Sequence, residues 1–139
     1  MDWKICAVDD LRRYPQMKIG ILNSRDKLRA VDGFARSAKS SIEKKGRRAD
    51  SKSVDAIVES ERLRKNLKLA EGLVRLVERG LSSLTDEERA VLERFYMSTD
   101  VPSMTKLKEE FGYETRSVYR LRDRALMKFT LAMYGVEVS

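Results

Sequence analysis

Leu63, Leu67, Ala70, Val74 and Val77 recur at alternating steps of four and three residues. That spacing keeps returning to one side of an α-helix, whereas a strand would scatter it over both faces. The helix it predicts, over residues 53–80, must lay this seam along another helix, as in a coiled coil. Leu69, Leu73 and Leu76 widen the apolar surface, so a second neighbour is expected beside the first. Two candidates fit the seam: the N-terminal helices of the same chain, or a second copy in a homodimer through residues 53–80. Gly80 reads as the stop.

The remaining chain follows the same period. Residues 1–32 read as two N-terminal helices. Trp3, Ala7, Leu11 and Tyr14 form one stripe, and Pro15 is expected to break the chain before a second helix over residues 16–32. Residues 33–52 carry seven bases against two acids, with serine and glycine between them. That composition reads as a basic flexible linker, and Arg47 and Arg48 within it as auxiliary phosphate contacts. From residue 81 to 139 a compact unit of three helices is expected. Thr85 and Glu88 form a capping box, Ser103 starts the second helix with Met104, Leu107 and Phe111 inward, and Gly112 marks the turn before a third helix at Thr115. No β-branched alternation bounded by turns occurs, so the fold class is all-α.

Composition narrows the chemistry. A net charge of +7 points to an anionic partner. The chain has no histidine and a single cysteine, Cys6, so histidine-based general-base catalysis, disulfide frameworks and multi-cysteine metal sites are excluded. No phosphate-binding loop or spaced acid cluster is present, so neither an enzyme nor a cofactor or metal protein is expected. No signal peptide and no apolar run of membrane-spanning length is seen, and a cytoplasmic location without membrane contact is expected.

The third helix carries the functional signal. On a helical wheel Val118, Leu121, Ala125, Phe129 and Ala132 share one side, and Arg116 and Arg120 take the other, with Ser117 and Arg124 at its margin. An apolar back with an arginine front is what a helix needs to sit on a protein body and enter a DNA groove. Arginine's planar fork holds a guanine edge or a phosphate through two hydrogen bonds. Thr115, Arg116, Ser117 and Arg120 are the candidates for base contact; Arg124 and Lys128 for phosphates; Tyr119 flanks them, with its hydroxyl toward a phosphate. Arg122 falls near the apolar side and is expected to pack there, paired with Glu88 or Glu93. Charge is polarised to match: residues 85–111 hold seven acids and four bases, residues 112–134 five bases and two acids.

Residues 81–130, with "LTDEERAVLERFY" at their start, resemble region four of primary sigma factors, a helix-turn-helix that binds promoter DNA. The chain as a whole resembles the RinA/ArpU-like regulators of Gram-positive phages and prophages, through "LRRYPQMKIGILN", the long helix leading into "LTDEER", and "SVYRLRDRALMKFTLAMYG". The resemblance implies a late-gene transcriptional activator that binds double-stranded DNA and contacts RNA polymerase. The sigma pattern's base-reading residues fall on Thr115, Arg116, Tyr119 and Arg120, all different side chains, so the promoter preference does not carry over. Glu114 stands where such proteins often have a serine or threonine cap. Two alternatives stay open: a small-terminase-like packaging protein, and a polymerase-binding adaptor that does not read DNA.

Overall fold

A computed structural model of the chain describes residues 1–45 and 51–138, apart from the side chains of 38, 41, 42, 44 and 45. Every regular element among them is helical, so the class is all-α. The order is α1 (Trp3–Lys45), α2 (Ser51–Ser82), α3 (Asp86–Leu92), a wider π-helical turn (Glu93–Met97), α4 (Met104–Phe111) and α5 (Thr115–Tyr134). No helix among the described residues is long and apolar enough to cross a membrane.

Two compact units form, one from Met1–Gln16 with Val74–Ser139 and one from Met17–Leu73. Three expectations need correction. Pro15 does not end a helix but lies inside α1. A proline in a helix interior costs about 3 kcal/mol through a lost hydrogen bond and a clash. Burial compensates here: Ala7, Leu11 and Tyr14 are buried before it, and Ile21 follows Tyr14 in phase, two turns on. The expected linker over 33–52 is helical at 33–45 and at 51–52. Composition does not show that Ala35 is buried while Arg36 and Lys39 lie on the outer side, Arg36 pairing with Asp32 at 3.1 Å and Lys39 meeting Glu61 at 3.9 Å. Residues 46–50, with Arg47 and Arg48, lie outside the described residues.

Gly80 is the third. It does not stop α2, which continues to Ser82. A Cβ on Gly80 would stand 2.9 Å from Cε1 and 3.2 Å from Cδ1 of Phe129, whose ring is fully buried. The glycine is there because the two helices touch, not because the chain turns.

In the unit Met17–Leu73 the two helices run antiparallel, since contacts rise along one as they fall along the other. Arg25 holds Glu71 through Nε at 3.2 Å and Nη2 at 3.0 Å. Further along, Asp32 accepts from the Ser60 hydroxyl at 3.0 Å and from Arg64. Partial burial would raise the Asp32 carboxyl, but Ser60, Arg64 and Arg36 outweigh it and hold it below the usual range. These bonds tie α1 to α2 within the chain, with Leu63, Leu67 and Ala70 half-buried.

The other unit contains a contact no local pattern announces. The first turns of α1 pack against the end of α5: the Trp3 and Tyr134 rings lie 4.9 Å apart, and the Tyr134 hydroxyl donates to Asp10. Tyr14 donates to Glu78 at 3.0 Å. Burial first, then the Glu78 carboxylate, push the Tyr14 hydroxyl up to about 12. The compact unit expected over 81–139 therefore requires residues 1–16 and 74–80 as well.

The glycines of α2 give a test with opposite signs. Gly72 has nothing within 4 Å of a built Cβ, so Gly72→Ala should stabilise by up to about 1 kcal/mol through helix propensity. Gly80→Ala gains the same propensity but overpacks a buried ring, an effect of about 1–3 kcal/mol, and should lower stability. Thermal denaturation of the two variants reads the signs directly; a higher melting temperature for Gly80→Ala would refute the close approach.

Candidate nucleic-acid interface

The local sequence fixes where α5 begins and what it presents. Thr85 caps α3: its hydroxyl accepts the Glu88 amide at 3.2 Å, and the Glu88 carboxylate accepts the Thr85 amide at 3.0 Å. Ser103 caps α4 by accepting the Lys106 amide at 3.3 Å. Gly112 ends α4 with φ of 69°, a left-handed conformation that a side chain strains. Tyr113 then donates to Glu87 at 2.7 Å, tying the turn to α3. Glu114 occupies the cap position of α5 and makes no side-chain cap bond; it lies 3.6 Å from Lys108 instead.

One face of α5 is sealed. Val118, Leu121, Ala125 and Phe129 are buried, with α3 and α4 packed against the helix. Ala132, expected on this stripe, is exposed. Leu126 and Thr130 are buried instead, because the contact drifts around the helix as the helix lengthens. Thr130 satisfies its own hydroxyl by donating to the Leu126 carbonyl at 2.7 Å.

The opposite face is open at its start. Thr115, Arg116, Ser117 and Arg120 are exposed, and Tyr119 is 41% exposed. Arg116 and Arg120 form no ion pair or side-chain hydrogen bond with other described residues. Tyr119 stands on a small aromatic stack: its ring lies 6.2 Å from Phe95 and 4.9 Å from the Arg122 guanidinium.

Arg122 is half-buried as expected, but its partner is neither Glu88 nor Glu93. It binds Asp123 through Nε at 3.1 Å and Nη2 at 3.0 Å, and stacks on Phe95 at 5.2 Å. Glu88, 2% exposed, draws the two cations assigned to phosphates: Lys128 at 2.8 Å and Arg124 at 3.6 Å. Both side chains keep half or more of their surface exposed, yet their charges are engaged. Burial alone would raise the Glu88 carboxyl; Lys128 and Thr85 outweigh it and hold it below the usual range. The sequence places Glu88 in a cap and offers it to Arg122, not to Arg124 or Lys128. Its spacing from Arg124 and Lys128, more than thirty residues away, carries no local signal.

Of the predicted site residues, Thr115, Arg116, Ser117, Tyr119 and Arg120 are each exposed in the first turns of α5, and Arg124 and Lys128 are held on the acid of α3. Comparison with family models, curated proteins and solved structures finds no match for the chain.

Glu88→Gln keeps an oxygen for the Thr85 amide and removes the charge facing the two cations. At neutral pH the variant should be less stable by roughly 1 kcal/mol, the upper end for an ion pair whose cations stay half exposed. Because the folded carboxyl is depressed, its contribution is present above the ordinary glutamate value of 4.5 and lost as pH falls below it. Denaturant unfolding across this range should show the difference between wild type and variant shrinking toward acid pH; a constant difference would contradict the ion pair.

Proposed function

We propose that the protein is a sequence-specific, double-stranded DNA-binding transcriptional regulator of phage or prophage genes, with α4, the Gly112 turn and α5 acting as a helix-turn-helix. The observation that carries the reading is the pair Arg116 and Arg120: two outward guanidinium groups without an ion-pair or hydrogen-bond partner among the described residues, at the start of a helix whose back is sealed. They stand four residues apart, about 6 Å along the axis, or about two base-pair steps. A helix about 10–12 Å wide enters a major groove of about 12 Å. In this reading Arg116 and Arg120 take base edges, Thr115 and Ser117 bind nearby bases or phosphates, and Tyr119 reaches a phosphate from its aromatic stack.

Arg124 and Lys128 have a different part. Their engagement with Glu88 supports a positioning role, holding α3 on α5, in place of free phosphate contacts. The family resemblance adds RNA polymerase as the second partner and activation of late genes as the outcome.

The test is selection of bound fragments from random duplex DNA, followed by titration of single variants. Arg116→Ala and Arg120→Ala should each cost about 1–3 kcal/mol on the selected site and little on random DNA, which erases discrimination. Arg124→Ala should retain discrimination. Equal losses on both kinds of DNA for Arg116→Ala and Arg120→Ala would refute base readout, and no salt-sensitive binding by the wild type would refute the function.

A further inference from the structure

We propose that the unit Met17–Leu73 pairs with a second copy of this chain, hairpin against hairpin with the helices reversed, through the face beside the inner seam. This stands apart from the DNA reading and does not depend on it. On α2 a second strip, Asp55, Glu59, Arg62, Asn66, Leu69 and Leu73, repeats the four-three stepping of the inner seam one row over. The described residues leave its apolar end open: Leu69 is 66% and Leu73 46% exposed. On α1, Lys27, Val31 and Phe34 step along the same side, with Phe34 55% exposed.

The two ends of this face differ in charge. At one end Val31 and Phe34 line an open apolar hollow with Asp55 and Glu59 on its rim. At the other, Leu69 and Leu73 lie among cations: the register set by Arg25 and Glu71 brings Lys27 level with Leu69, and Lys65 sits one turn before it. Lys27, Lys65 and Asp55 form no ion pair with other described residues, while Glu59 meets Arg62 on its own helix at 2.5 Å.

Such a strip is complementary to itself when reversed. A two-fold axis across the helices, level with the midpoint between Arg62 and Asn66, lays Leu69 and Leu73 of one copy over the acidic hollow of the other, twice per dimer. A parallel pairing would stack acid on acid. Asn66 near the axis offers a polar group that fixes register, as a buried asparagine does in coiled coils. From Asp55 to Leu73 the face is about 27 Å long and two helices wide. It would bury about 1,000 Å² in total, the lower bound of a specific interface, so a concentration-dependent dimer is expected.

Sedimentation equilibrium of the full chain over a concentration series tests this. Wild type should move toward twice the chain mass. The acidic end reversed (Asp55→Lys with Glu59→Lys) and the basic end reversed (Lys27→Glu with Lys65→Glu) should each weaken self-association at least tenfold. An equimolar mixture of the two should restore it. Should either reversal lose helicity by circular dichroism, Leu69→Ser with Leu73→Ser takes its place and should likewise give a monomer. A wild type monomeric throughout, a dimer insensitive to these changes, or reversed variants that fail to recover on mixing would each overturn the proposal.

Discussion

The seating of α5 is the constraint on which the C-terminal unit depends. Phe129 is fully enclosed and lies against Gly80 so closely that a methyl group on α2 would collide with its ring. Val118, Leu121 and Ala125 continue that contact toward the start of the helix, under α3 and α4. A helix pinned along its back over three turns cannot rotate, so the side chains opposite are aimed by the core. Arg116 and Arg120 owe their direction to apolar burial, not to any bond they make.

Glu88 joins secondary structure to this arrangement. The same carboxylate closes the capping box of α3 and holds Lys128 and Arg124 of α5. An isolated charge this deeply enclosed would be costly, and its partners are what make it tolerable. The arginines of α5 consequently divide by environment. Arg124 answers a buried acid, Arg122 lies on Phe95 and Tyr119, and Arg116 and Arg120 face outward. Identical residue types in one helix acquire different roles from what stands opposite them.

Local signals carried the sequence reading where the physics is local. The Thr85 capping box, the Ser103 cap, the left-handed Gly112 and the buried stripe of α5 all depend on neighbours a few residues apart. Pro15 and Gly80 depart from their local signals because both are resolved by tertiary packing. One is tolerated inside a helix whose stripe stays buried on either side, and the other is demanded by a ring 49 residues later. The charged stretch after Gly33 looked like a tether because composition does not report that Ala35 is buried. The contact of Trp3 and Asp10 with Tyr134 joins opposite ends of the chain, which periodicity can mark as apolar but cannot match to a partner. For the candidate site, the exposed start of α5 was legible from its wheel, and the capture of Arg124 and Lys128 was not.

In the proposed function the outward guanidinium groups at the start of α5 meet DNA while those behind them remain in the protein. The most direct measurement is the arginine side-chain Nε–H spectrum of isotope-labelled protein as a selected duplex is added. The Arg116 and Arg120 signals should move and become protected, while Arg122 stays with Asp123 and Arg124 stays with Glu88. Unmoved Arg116 and Arg120 signals on a duplex that is demonstrably bound would contradict it.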